Sequence, residues 1–293
     1  MLLNHSLRTL RVSSFNMQTS KRMFSKDSID AAALPFKAVI VSPHASLPHS
    51  LHGSTAENTL KPAVIVLQEW WGVNDQIVSH AQRIANNTGA IAIIPDLYNG
   101  KVTADSEEAK HLMDNLDWPD ALLNLEALTR ALQKPPADAP PFLFKDRKVG
   151  SIGFCMGGAL SLALAARMAE KTSPLRACVS FYGTPSAKLI DVSKIPSSTP
   201  VQAHFGALDD KLGFSDINTA HKLAESWDLT VKKLGGAHAH GFHSLESNVY
   251  VHEGVGHAFM NENGSSKVRD VGGEVDKTWE KVFKFLVEHL KTV

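Results

Sequence analysis

From about residue 36 to the C-terminus, short unbroken apolar runs alternate with longer stretches whose apolar residues recur every three or four positions. The runs Phe36–Ser42, Ala63–Gln68, Ala90–Pro95, Lys148–Phe154, Ala177–Tyr182, Pro200–Gly206 and Asn248–Glu253 are bounded by Gly, Pro or Asn and predict strands. The periodic stretches Asp75–Asn87, Ala104–Leu116, Asp120–Leu132, Met156–Glu170, Phe214–Ser226 and Glu274–Leu290 predict helices. Strands without in-and-out alternation are covered on both faces. The pattern therefore predicts an α/β architecture, a mostly parallel twisted sheet with helices on both sides. Proline-rich stretches at 43–62 and 135–141 fall inside this alternation and predict surface loops, with no repeat or linker, so residues 31–293 are expected to form one domain.

The first thirty residues break the pattern. They carry Arg8, Arg11, Lys21, Arg22 and Lys26, several serines and no acid before Asp27, with Leu and Phe spaced for a basic amphipathic helix. This is the composition of a mitochondrial presequence, and it predicts a matrix protein whose mature form begins near residues 23 to 31. The alternative is a cytoplasmic extension, for which Met17 and Met23 offer internal starts.

Composition narrows the partners. With 43% apolar and 20% charged residues, and 30 basic against 30 acidic side chains, the chain has no electrostatic footprint for nucleic acid or an anionic membrane. No apolar run approaches the roughly eighteen residues of a transmembrane helix. A small-molecule partner is expected, with no cofactor, and a monomer. Two cysteines, Cys155 and Cys178, exclude a disulfide framework and point to a reducing compartment. Cys178, in the apolar run "RACVSFY", predicts a buried structural thiol.

Cys155 stands in a different context. In "GSIGFCMGGALSLALAARMA", Gly150 to Ala169, it lies where a strand pattern turns helical, with Gly153 and Gly157 two residues to either side. Glycines there let strand and helix pass close together across a sharp turn. The stretch lacks the G-x-G-x-x-G spacing of a dinucleotide site and the closing G-K-[ST] of a P-loop, which disfavours phosphate binding. It matches the G-x-nucleophile-x-G elbow, with sulfur replacing the usual serine oxygen. A small residue filling the turn is the other reading, and the turn alone leaves both open.

Two further strand ends favour the nucleophile. "ALDD" follows the strand "PVQAHFG" and places Asp209 and Asp210 just past its end, while "VGHAF" places His257 after the last strand. Nucleophile, acid and histidine then come in the order of an α/β-hydrolase sheet, each from a different strand end. A thiol needs a neighbouring imidazole to take its proton, and the imidazole needs a carboxylate at Nδ1 to fix its tautomer. Asp209, one residue nearer the strand end than Asp210, is the preferred acid. The backbone N–H of Met156 and one from the loop after "AVIVLQ" would meet the oxyanion. A serine-type esterase is disfavoured because Ser151 lies within the strand.

The runs "QEWWGVN", "PDLYNG" at 95–100, "GFCMGG", "FGALDD" and "GVGHAF", in this order over residues 36 to 291, resemble the dienelactone hydrolase family of α/β-hydrolases. The resemblance implies lactone opening by a Cys-His-Asp triad of Cys155, His257 and Asp209. It also implies that Glu69 holds or releases the thiol and that Trp70 supplies the second oxyanion N–H. The bacterial dienelactone enzymes meet a substrate carboxylate with arginines, one after the "DLY" run and one after the histidine. Here Asn99, Gly100 and Asn261 occupy those regions, and Lys101 is the available cation. Trp70, Trp71, Tyr182 and Phe259 suggest a more apolar pocket, so Trp71, Lys101, Tyr182, Phe259 and Asn261 are candidate substrate-pocket residues. His238, His240 and His243 in "GGAHAHGFHS" lie close together without a familiar metal-ligand spacing, and a flexible polar loop is expected there. The expected activity is hydrolysis of a small ester or lactone through an S-acyl-enzyme. The competing class is a non-catalytic binding or scaffold protein on the same fold, with metal on the histidine loop.

Overall fold

A computed structural model describes residues 38–43, 61–134, 147–234, 246–262 and 273–291. The basic N-terminal stretch, most of the two proline-rich stretches and His238, His240 and His243 lie outside the described residues. The strands are β1 (Ala38–Val41), β2 (Ala63–Leu67), β3 (Ile91–Pro95), β4 (Val149–Phe154), β5 (Ala177–Phe181), β6 (Val201–Gly206), β7 (Lys232–Leu234) and β8 (Asn248–His252). They form one sheet in the order β1-β3-β2-β4-β5-β6-β8-β7. Among the described residues only β1 runs antiparallel, against β3; the other pairs are parallel. This is the mostly parallel sheet expected from the alternation, in the α/β-hydrolase form implied by the motif order and the family resemblance.

The helices are α1 (Asp75–Thr88), α2 (Ser106–Asp114), α3 (Trp118–Gln133), α4 (Met156–Glu170), α5 (Ile217–Ser226) and α6 (Glu274–Leu290). The period of two in each strand divides the core between them. In β2, Ala63, Ile65 and Leu67 pack with residues of α3, α4 and α5, whereas Val64 and Val66 pack with α1 and α6. Helix α4 lies deepest. Twelve of its fifteen residues are buried, which is why it is apolar on all sides rather than on one stripe. Each fully buried Leu or Met there contributes roughly 1.5–3 kcal/mol, and together they anchor the turn that precedes the helix.

Most boundaries agree with the sequence pattern, and the differences have physical causes. Helix α5 begins at Ile217, not Phe214, because the Asp216 side chain accepts the N–H groups of Asn218 and Thr219 and so caps the helix. Helix α3 starts earlier than expected, at Trp118, where Asp117 caps it and Pro119 suits the first turn. The unpredicted β7 is three residues, two of them lysines, on the sheet edge, where a charged strand resists pairing with another chain. A short 3-10 turn at Ile195–Ser197 was likewise without a sequence signal.

Candidate active site

Cys155 joins β4 to α4 and adopts φ 54°, ψ −117°, a conformation that costs a non-glycine residue energy. Its N–H donates to Phe181 O at 3.0 Å, which fixes the turn against the end of β5. A Cβ on Gly153 would lie 1.9 Å from Gly157 O, so the elbow closes only because residue 153 has no side chain. Cys155 is the N-cap of helix α4 and makes no side-chain cap bond, which leaves the first-turn N–H groups, beginning with Met156, without a side-chain cap. Asn99, Tyr182 and Ala258 also have positive φ, and with Cys155 they make four of the six such non-glycine residues among those described. All four follow strand ends on the same edge of the sheet.

The loop after β8 brings His257 to the sulfur, with Nε2 3.3 Å from Cys155 Sγ. On the other side of the ring, Nδ1 lies 2.8 Å from Asp209 Oδ2. The two aspartates separate clearly: the Asp209 side chain is fully buried, with Oδ1 accepting the Lys211 N–H, while the Asp210 side chain is 82% exposed and pairs with Lys211. Ser215 Oγ also approaches His257 Nδ1, at 3.1 Å. Burial lowers the His257 pKa, but the bonds and charges of Asp209 and Cys155 outweigh it and raise the imidazole to about 10.

Glu69 follows β2 and is buried. Tyr182 Oη donates to its Oε1 at 3.0 Å and Asn261 Nδ2 donates to its Oε2. Burial pushes the Glu69 carboxyl up, against the two hydrogen bonds and the nearby His257 charge, which pull it down. Asn261 is itself placed through its neighbour, since the Glu262 N–H donates to Gln76 Oε1 on α1 at 3.0 Å.

Trp70 and Trp71 sit half-buried in the turn after Glu69, with ring centroids 5.1 Å apart. Gly72 closes this turn at φ 89°, where a Cβ would lie 2.3 Å from Lys101 O, and Thr103 N–H bonds Trp71 O. The Lys101 side chain is exposed. The Tyr182 ring is 5.2 Å from the His257 ring, whereas Phe259 is fully buried between Phe181, Tyr182 and His252. Buried Tyr98 meets Met156 Sδ through its hydroxyl at 3.2 Å. Ser151 is fully buried and bonded to Ser161, and Cys178 is a buried thiol beside Ser161 whose pKa burial raises to about 11.

Sequence reasoning did not find Ser215 or the role of Gln76. Nothing marks Ser215 along the chain, because its position depends on how the loop after β6 folds back over His257. It also did not find a buried polar chain beneath the site: His204 Nδ1 lies 3.0 Å from His252 Nε2, and His252 Nδ1 lies 2.9 Å from Glu274 Oε1.

The model of the dienelactone hydrolase family matches residues 50–290. The protein usf of Aquifex pyrophilus is 29% identical over 238 residues, covering 78% of this chain and 89% of its own. A carboxymethylenebutenolidase of Pseudomonas putida is 27% identical over 158 residues, 50% of this chain and 61% of its own. Among solved structures, a dienelactone hydrolase-like promiscuous phosphotriesterase from metagenomic libraries superposes with a TM-score of 0.57 at 21% identity, over 79% of this chain and 87% of its own.

Proposed function

The chain belongs to the dienelactone hydrolase family and is an ester or lactone hydrolase, and from that premise we propose that it works through an S-acyl-enzyme on Cys155, with His257 as base and acid and Asp209 as the orienting carboxylate. One observation carries this reading: the two ring nitrogens of His257 reach sulfur and carboxylate at 3.3 Å and 2.8 Å, the three residues following three different strands.

His257 Nε2 takes the proton of Cys155, and the sulfur attacks the carbonyl carbon. The C=O electron pair moves to oxygen, where the N–H groups of Met156 and Trp70 stabilise it; one such donor is typically worth about 10²–10³ in rate. Collapse breaks the C–O bond, and the departing alkoxide takes the proton from Nε2. In a lactone this alcohol stays attached to the acyl group. Water then gives a proton to His257 and attacks the thioester, and the thiolate leaves and recovers that proton. Asp209 at Nδ1 keeps the imidazole in the tautomer that presents Nε2 to sulfur and stabilises the imidazolium.

Glu69 is the second carboxylate of the site. Its charge is felt at His257, and Tyr182 and Asn261 hold it by hydrogen bonds. In this reading it disfavours a free thiolate until substrate arrives. Asn261 and Glu69 give this side of the site no net positive charge, which suits a neutral ester better than an anionic lactone.

The test is hydrolysis of a panel of aryl esters, lactones and a dienelactone by the wild type and by Cys155→Ala. Loss of turnover in a variant with an unchanged far-UV spectrum and Tm supports the reading. Undiminished turnover would end it.

A further inference from the structure

A cavity of about 370 Å³ lies between the loop after β5 and helix α5, lined by Thr184, Ile190, Val192, Gly213 and Leu223 among others. Its two walls continue from residues that touch Cys155 and His257. Gly183 packs so tightly on Cys155 that a Cβ would lie 2.1 Å from Cys155 O, and Thr184 is the next residue. On the opposite side, Gly213 precedes by two residues Ser215, whose Oγ is 3.1 Å from His257 Nδ1. The two segments that wall the cavity are thus the ones that abut Cys155 and His257.

The walls are preformed. The Leu189 N–H bonds Ser186 O at 2.9 Å, and the Trp227 indole N–H bonds Val192 O at 2.8 Å, tying the loop to the end of α5. Ile190 and Leu223 are buried and make an apolar floor. Two charged residues line it, Asp191 and Lys222, and their charges cancel. Thr184 Oγ1 is buried without a hydrogen-bond partner among the described residues. The volume lies near the low end of the roughly 300–1,000 Å³ typical of small-molecule sites, enough for a medium alkyl chain or one ring.

We infer that this cavity receives an uncharged apolar arm of the substrate, so that the enzyme acts on neutral esters or lactones bearing a medium-length alkyl or aryl group. The inference rests on the catalytic reading above. An anionic arm gains no net charge attraction from the exposed pair Asp191 and Lys222, whereas an apolar arm displaces water from Ile190, Val192 and Leu223. The same cavity serves an acyl or an alkoxy arm, and substrate series distinguish them.

The experiment compares kcat/KM for p-nitrophenyl acetate and octanoate, and for ethyl and octyl acetate, in the wild type and in two variants that fill the cavity from exposed positions on opposite walls, Ala187→Trp and Lys222→Trp. The wild type is expected to favour the long member of one series, and that series identifies the arm. In the filled variants its long-to-short ratio should fall on the order of tenfold or more. Ratios unchanged in both series would overturn the inference. Calorimetric binding of decan-2-one to Cys155→Ala separates the cavity from the chemistry. Binding that Ala187→Trp abolishes supports the site even if the triad reading fails, and absence of binding at millimolar ketone overturns it even if the triad reading holds.

Discussion

Ser215 Oγ and Asp209 Oδ2 converge on the same atom, His257 Nδ1, at 3.1 and 2.8 Å. The carboxylate supplies charge and the hydroxyl supplies a second neutral restraint on the ring. Ser215→Ala should lower kcat about fivefold with KM little changed, since a neutral hydrogen bond is worth about 1 kcal/mol. Asp209→Asn should cost far more, on the order of 10³–10⁴, because the amide no longer enforces the tautomer. Steady-state kinetics of the two variants check this ordering. Equal losses would mean that the hydroxyl and the carboxylate share the burden.

The two thiols should behave oppositely. Cys178 is fully buried and its pKa is pushed up to about 11, so it should resist iodoacetamide, and Cys178→Ala should cost about 1 kcal/mol in packing without altering turnover. Cys155→Ala should keep stability and lose hydrolysis. Chemical denaturation and ester hydrolysis read the two effects separately.

Glu69→Gln tests the buried carboxylate in two ways. Its folded pKa is raised above 4.5, so the folded protein binds the proton more tightly than the unfolded chain. Stability therefore declines as pH rises from about 4.5 through that raised value, and the whole deficit is present above it. Glutamine removes the deficit: its oxygen still accepts from Tyr182, and its amide N–H meets Asn261 once that side chain turns its Oδ1 inward, so Tm at pH 7 should rise. At pH 4 the two proteins should coincide. Resting alkylation of Cys155 at pH 7, measured with Cys178 removed, should also accelerate. Superimposable alkylation profiles would mean that Glu69 only braces its loop.

The buried histidines predict acid sensitivity. Burial, with nearby His252 and Lys281, holds the His204 pKa well below 6.5, and burial also lowers His252 despite its bond to Glu274. Both rings are neutral when folded and charge on unfolding. Their contribution to stability should be level above pH 6.5 and fall as pH drops from 6.5 towards their folded values. His204→Phe should flatten that decline, as measured by denaturant midpoints between pH 7 and 4.5.

Much of this was legible along the chain. Six helices and seven strands follow from apolar periodicity, because buried parallel strands and one-sided helices leave strong patterns. The lysine-rich edge strand Lys232–Leu234 leaves none, and the reversed direction of β1 depends on pairing that no local pattern encodes. At the site, the glycines around Cys155 mark a tight turn, and Asp209 and His257 stand at strand ends. What stayed hidden were contacts made between loops: Ser215 on His257, Gly183 under Cys155, and the pairing of Glu69 with Tyr182 and Asn261. Each depends on residues far apart in sequence whose types are ordinary in their own segments.

The central claim is that the acyl group passes through Cys155. Acid quenching of a reaction with p-nitrophenyl butyrate, followed by proteolysis and mass spectrometry, should find a butyryl group on the peptide carrying Cys155, with none in Cys155→Ala. A butyryl group on another residue, or continued turnover in Cys155→Ala, would contradict the account.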